Sequence, residues 1–406
     1  MNFKQEIHDY IKSGETSSKN LGLEIEHFVI DKDGKQISFD QITSLIEKAG
    51  KELQAEIQYI DGFPVGYHTD KYAISLEPSC QFEISINPYS SLNMIADVYQ
   101  EFFSLWQPIF EEIGYRIETK GNLPLVELGL IDPNDIPLSP KKRYKYMDAY
   151  FKNSGKYGKY MMRASASTQI SIDYASQQDL IRKLRILEKI SPILMTMMEN
   201  KTKSDTRLPE EQEKTHLLRI QEWDDLDPER TGFFPYSFDD DFGYDKIADV
   251  VYHTPLILLT DKGETTYIGH QDAAKLVEDH VILEDDDPDR TRSLVEHVLS
   301  MGFFHFRIKK YIEIRIADSV PIDKALGYTA LLKGIVYSDD NLDTLEQELK
   351  DIDTLTKIQD AVLAIEHKGS DAVIYHGKTV KDWSDYLIHL ARNSLPETEK
   401  GYLDHV

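Results

Sequence analysis

Leu21-Gly22-Leu23-Glu24-Ile25-Glu26-His27-Phe28-Val29-Ile30 is the stretch on which the reading of the fold turns. As a strand, its period-2 alternation sets Glu24 and Glu26 on one face and Leu23, Ile25 and Val29 on the other. Neighbouring carboxylates repel each other, so the pair calls for a cation or for solvent on that face. A strand with one wet face is the plain alternative. His27 falls on the apolar face, the place of a hydrogen-bonded core histidine rather than of a ligand.

Working outward, three further segments repeat the alternation. Within 73–87, Gln81, Glu83 and Ser85 alternate with Phe82, Ile84 and Ile86, just after a bend at Glu77-Pro78-Ser79. From Arg163 to Asp173 the side chains of Arg163, Ser165, Ser167, Gln169, Ser171 and Asp173 point one way, a donor-rich lining suited to an anion. Between Phe303 and Ala317, Glu313 and Arg315 stand opposite Ile312, Ile314 and Ile316. If these strands share one sheet, its polar face collects at least four carboxylates and two arginines.

The remaining pattern is mostly helical or loop. Helices are expected over 2–13, 41–54, 91–113, 176–199, 321–337, 342–366 and 378–394, the one at 91–113 from apolar residues at 3–4 spacing. Residues 121–140 read as a long loop ending in the basic run Lys141-Lys142-Arg143. Residues 201–214 read as a mobile surface loop, 219–245 as a ligand-facing loop, 250–269 as strands around a turn at 261–263, and the acidic run 284–289 as solvated. Strands early and helices late predict an α+β fold with an antiparallel sheet, a single catalytic domain over 1–406 that is mainly helical from about 321.

Composition narrows the function. The chain has 406 residues, 41% hydrophobic and 29% charged, with 46 Lys and Arg against 71 Asp and Glu, a formal net charge of −25. Such a balance argues against nucleic-acid binding, although local arginines or bridging metals still allow small anions. The single cysteine, Cys80, excludes an intrachain disulfide and a cysteine-based zinc site, and its lack of a basic neighbour marks it as a packing residue. A polar start and no apolar run of membrane length lead us to expect a cytoplasmic protein without membrane partners.

Oxygen-only ligands favour Mg²⁺ or Mn²⁺, and arginines hold carboxylates or phosphates by bidentate pairing. Together they suit phosphoryl transfer. Neither Gly-x-x-x-x-Gly-Lys-Ser/Thr nor Gly-x-Gly-x-x-Gly occurs, so an ATP site must be borne by the sheet. The plain alternatives are that Arg163 and Arg315 pair structurally with Glu83 or Glu313, and that Trp223 only anchors a loop.

A series of short motifs in one order carries a resemblance. They are Leu21-Gly-Leu-Glu-Ile-Glu26, Ser75-Leu-Glu-Pro78 with Gln81-Phe-Glu-Ile-Ser85, Arg143-Tyr144, Met162-Arg163 with Gln169-Ile-Ser-Ile-Asp173, Arg219 with Trp223, Asp227-Pro228 with Arg230-Thr-Gly232, Phe238-Asp-Asp240 with Phe242-Gly243, and Tyr311-Ile-Glu-Ile-Arg315 with Ala317-Asp-Ser319. Over about 21–337 the chain resembles the plant and proteobacterial type of glutamate–cysteine ligase. The resemblance implies a glutamine-synthetase-like catalytic domain, a curved antiparallel sheet with helices on its convex side. It implies ATP as co-substrate, Mg²⁺ (or Mn²⁺), and joining of the glutamate γ-carboxylate to the cysteine amine through γ-glutamyl phosphate, the first step of glutathione biosynthesis.

Carried over position by position, the resemblance makes Glu24, Glu26, Glu77, Glu83 and Glu313 candidate metal ligands. Arg163 and Arg315 become candidate catalytic groups, and Arg219 and Arg230, with Gln169 and Trp223, candidates for binding glutamate or ATP. A monomer or homodimer is expected. The chain departs from the family at Ser79-Cys80, where Gly-Gly is common, and at Ala164-Ser-Ala-Ser-Thr168, both expected near the acceptor pocket. A ligase for another amine, or a non-catalytic nucleotide-binding paralogue, therefore stays open.

Overall fold

The computed structural model describes residues 2–203, 206–282 and 287–406. The strands are β1 (Leu21–Asp31), β2 (Glu56–Ile60), β3 (Phe63–His68), β4 (Tyr72–Leu76), β5 (Phe82–Tyr89), β6 (Tyr115–Glu118), β7 (Ser167–Ile172), β8 (Thr231–Gly232), β9 (Leu256–Asp261), β10 (Glu264–Gln271), β11 (Phe303–Phe304), β12 (Phe306–Ile308) and β13 (Ile312–Asp318). Among the described residues, nine of them form one sheet in the order β12-β13-β7-β1-β5-β4-β3-β2, with β6 paired to the far half of β1. Every pairing in it is antiparallel, as expected.

The alternation in β1 decides which face is which. Leu21, Leu23 and Ile25 are fully buried, together with Ile84 of β5, Ile170 and Ile172 of β7 and Ile312 and Ile314 of β13. Their face is covered by the helices Leu92–Glu112, Gln177–Met197 and Ile322–Val336. His27 lies in this core, bonded through Nδ1 to the Phe82 carbonyl and through Nε2 to the Tyr99 hydroxyl, and burial pushes its pKa down to about 4. The histidine is therefore a neutral core group. One continuous cluster of buried apolar side chains runs from Phe3 to Leu403.

Several elements differ from the sequence expectation. β7 begins at Ser167, and Arg163 instead ends the helix Gly158–Ala164. The ladder with β1 stops at Thr168, because the Glu26 carboxylate takes the Ser167 amide at 2.6 Å. The hairpin β2–β3 was not expected, although Asp61-Gly62, both at positive φ (51° and 85°), is the type I′ turn that Asp-Gly favours. The helix expected over 342–366 is two, Asp339–Glu348 and Leu355–Lys368, with the intervening Leu349 carbonyl taken by Lys189.

The stretch read as a loop at 121–140 contains only short helical turns. In the run read as a mobile loop, Thr202 and Thr206 are tied to the Glu127 carboxylate, and residues 204 and 205 lie outside the described ones. Of the acidic run, 284–286 lie outside the described residues, and Asp287 caps the helix Pro288–Ser300.

Candidate active site

The face of the sheet turned away from the helices carries the alternating polar residues into one cavity of about 370 Å³. Register brings them together: Glu26 lies opposite Glu83, and Glu24 lies between Ser85 and Gln169. On the next strand Glu313 faces Ser171 of β7 and Arg307 of β12. Glu77 joins from the tight connection between β4 and β5, where Cys80 adopts φ +66°. That left-handed backbone is one glycine takes readily, which accounts for the Gly-Gly common there. Cys80 itself points into the core, where burial raises its thiol to about 12, so this departure from the family does not reach the cavity.

The cavity is electrically divided. On its acidic side, Glu83 accepts from Ser75 Oγ at 2.9 Å and Ser85 Oγ at 3.3 Å, and Glu26 from the Ser167 amide and Gln169 Nε2. Among the described residues no hydrogen bond or ion pair reaches the side chain of Glu24 or Glu77. Burial and then Glu313 raise the pKa of Glu24. Burial and then Glu77 carry Glu26 to about 7, and burial with the neighbouring carboxylates holds Glu83 well above its ordinary value. Burial is the largest cause in each case and the neighbouring carboxylates add to it, outweighing the opposing pull of Arg307, Lys309 and Arg315 on Glu24 and of Arg219 and Arg315 on Glu26.

Glu313 behaves oppositely. Its carboxylate receives Arg307 Nε at 2.5 Å, Lys309 Nζ at 3.0 Å and Arg315 Nη1 at 3.3 Å. Burial is the largest single influence on it and raises its pKa, yet the three cations together hold it well below the usual range. Arg315 also donates to Gln169. Arg219, 3% exposed, uses Nη2 on the Arg315 carbonyl at 3.0 Å and leaves Nε and Nη1 unpartnered. Trp223 sits against both guanidiniums at 6.0 and 5.9 Å, its buried indole N–H also unpartnered.

Two candidate residues are placed elsewhere. Arg163 bonds the Ile136 carbonyl and pairs with Asp148, outside the cavity lining. Arg230 is fully buried and bonds Asp227 (2.7 Å), the Pro255 carbonyl (2.6 Å) and Tyr150 (3.1 Å), again away from the cavity. Both are structural guanidiniums, each clamping loops to a helix. The run Asp239–Asp241 within the expected ligand-facing loop likewise does not line the cavity; Arg185 holds that loop through the Ser237 and Asp239 carbonyls.

Sequence reasoning missed Arg307 and Lys309, although they alternate with Phe306 and Ile308 just as Glu313 alternates with Ile312. It also missed Lys141, Arg143 and Tyr144 as lining residues. Lys141 Nζ and Tyr144 Oη both donate to the Leu76 carbonyl at the end of β4, at 2.6 and 3.1 Å.

Among the described residues no three His, Cys, Asp or Glu side chains are already drawn together to hold a metal ion. The residues nevertheless fit a hard divalent cation by donor type. Glu24, Glu26, Glu77 and Glu83 supply only oxygens, two of them are unpartnered, and burial with mutual repulsion raises the pKa values of Glu24, Glu26 and Glu83. Glu313 already has its cations and fits less well as a ligand.

The antiparallel sheet thus presents a cluster of carboxylates beside a knot of cationic side chains in one cavity. The chain belongs to the glutamate-cysteine ligase family 2 (GCS2), whose model matches residues 20–367. It is 28% identical to the chloroplastic glutamate–cysteine ligase B of Oryza sativa subsp. japonica, over 86% of this chain and 69% of that protein. It is 29% identical to the chloroplastic glutamate–cysteine ligase of Medicago truncatula, over 84% of this chain and 65% of that one. The chain thus spans about two thirds of the length of these relatives. The fold is shared with the crystal structure of glutamate–cysteine ligase from Francisella tularensis in complex with AMP, at TM-score 0.53 and 14% identity over 96% of this chain and 81% of that one.

Proposed function

We propose that the protein joins the γ-carboxylate of L-glutamate to the amine of L-cysteine at the expense of ATP, giving γ-glutamylcysteine, ADP and phosphate. The observation that carries the reading is the divided cavity, acidic on one side and cationic on the other, in a chain of this family. A carboxylate is a poor electrophile because its leaving group would be oxide; phosphorylation converts it to an acyl phosphate that an amine can attack. In this reading Arg219, with two buried unpartnered donors, and Arg315 receive the anionic groups of glutamate or of the transferring phosphoryl. Glu313 keeps Arg307, Lys309 and Arg315 gathered at one spot. Gln169 fixes Arg315, and Trp223 walls the guanidiniums from solvent.

Glu24, Glu26, Glu77 and Glu83 would hold Mg²⁺, which when bound offsets charge on the triphosphate. The test is incubation of the protein with ATP, Mg²⁺, glutamate and cysteine, followed by ADP release and product mass. The expected product is γ-glutamylcysteine. A panel of other amines separates a ligase of different acceptor, since Ser165 and Ser167 line the cavity where the family motif differs. No ADP release with any amine would refute ligation, and pyrophosphate release would refute the acyl phosphate.

A further inference from the structure

The helix Lys142–Ser154 begins in an electrostatically unfavourable way. Lys141, Lys142 and Arg143 gather at its N-terminus, where the helix dipole is already positive and acidic residues are favoured, and its first turn contains no acidic side chain. Lys141 as N-cap accepts no capping hydrogen bond on its side chain. What the start of the helix does have comes from a different element. Asp61, at the tip of the hairpin β2–β3, accepts the Lys142 amide on Oδ2 at 2.9 Å.

The hairpin is shaped for this reach. Asp61 and Gly62 stand at φ 51° and 85°, a turn that Asp-Gly adopts without strain and that aims the aspartate off the end of the edge strand. Phe63 is anchored by an edge-on ring contact with Phe39 at 5.2 Å. The residue before Asp61, Ile60, lines the catalytic cavity, as do Lys141, Arg143, Tyr144 and Met147 of the helix start. The hairpin tip and the helix start are therefore one wall of the cavity, joined by Asp61. Arg143 on that wall lines the cavity and makes no hydrogen bond or ion pair to any described residue.

We propose that Asp61 is a positioning residue. It supplies the missing cap, and so holds the first turn of the helix 142–154 where Lys141 meets the Leu76 carbonyl and Arg143 faces an anionic substrate. The inference rests on the ligase reading for its kinetic consequence and on geometry alone for its structural one. A lost cap corresponds to about a fivefold change in the occupancy of the docked helix start.

Two variants separate positioning from general stability. D61G keeps the turn and removes the acceptor, whereas D61N keeps both the turn and a capping oxygen. D61G is expected to raise KM for ATP or glutamate about fivefold while kcat changes less than twofold, with D61N close to the parent. Independently of turnover, amide hydrogen exchange is expected to quicken by a similar factor across 142–147 in D61G and not in D61N. If the parent protein has no ligase activity, the function proposed above fails while hydrogen exchange still decides the role of Asp61. Unchanged exchange at 142–147 in D61G, an equal effect of D61N, or an active enzyme whose KM values do not move in D61G would each overturn the assignment.

Discussion

Glu24 and Glu313 occupy the same face of the same sheet, and their replacement by glutamine is expected to affect stability in opposite ways. Glu313, 1% exposed, is the common acceptor for Arg307, Lys309 and Arg315. E313Q leaves three buried cations repelling one another with only an amide oxygen between them. Removing one partner from a buried ion pair costs about 3–5 kcal/mol, and here the uncompensated side holds all the positive charge. Glu24 has no partner to lose, and its raised pKa reflects burial and the nearby Glu313 charge. E24Q relieves that repulsion, so stability is expected to stay within about 1 kcal/mol of the parent or to rise. Urea denaturation followed by circular dichroism, in metal-free buffer at pH 8, measures the difference, and ADP release measures turnover. Both variants are expected to lose turnover, but only E313Q its denaturation midpoint. Equal loss of stability, or a larger loss in E24Q, would refute the division of the cavity into a carboxylate cluster without cations and a carboxylate surrounded by them.

The remaining expectations follow from the same division. Glu26 rises from 4.5 to about 7, so between those values the folded state binds more protons than the unfolded one. Stability of the metal-free protein should therefore fall as pH increases through that window, by about 3 kcal/mol at most. Mg²⁺ should then raise the melting temperature more at pH 8 than at pH 6, and a shift independent of pH would remove Glu26 from the metal cluster. R219A removes two buried donors that have no protein partner, along with the bond to the Arg315 carbonyl, so KM for an anionic substrate should rise about 10–100-fold. R230A strands Asp227 in the interior and should instead cost about 3–5 kcal/mol in denaturation while KM stays near the parent value. The buried Cys80 thiol should resist alkylation until the protein unfolds, and C80A should retain turnover, both checked by mass spectrometry and ADP release.

Much of the site could be read from period 2 because sheet register is what assembles it. Once Leu23 and Ile25 are committed to the core, Glu24 and Glu26 must face the other way, and the same holds for Glu83, Gln169 and Glu313. Alternation does not say where pairing stops, and Arg163 shows this: its spacing continues that of β7, yet its backbone is helical. Nor does alternation distinguish an arginine that faces a ligand from one that faces a carbonyl. Arg219, in the helix Leu218–Asp224, and Arg230, in the turn before β8, are both buried, and the positions of Asp227 and the Pro255 carbonyl make Arg230 a clamp. Lys141 and Arg143 reach the cavity from the start of a helix that packs on the hairpin β9–β10, a long-range placement that alternation within the strands does not foretell.

A net charge of −25 looks electrostatically mismatched to the anionic substrates proposed for this chain. The mismatch is resolved by segregation. Glu313 alone would attract protons in its buried position, and Arg307, Lys309 and Arg315 alone would repel one another; together they form a compact knot with net charge +2, from one carboxylate and three cations. Arg219 lines the same cavity and adds a further cation, two of whose buried donors have no partner. Across the cavity burial and mutual repulsion raise the pKa values of Glu24, Glu26 and Glu83, which no cation among the described residues contacts directly. An anion entering alone meets repulsion on one side, and a cation entering alone meets it on the other. On the proposed function, the arrangement is complementary to the two arriving together, as a nucleotide and its divalent ion would.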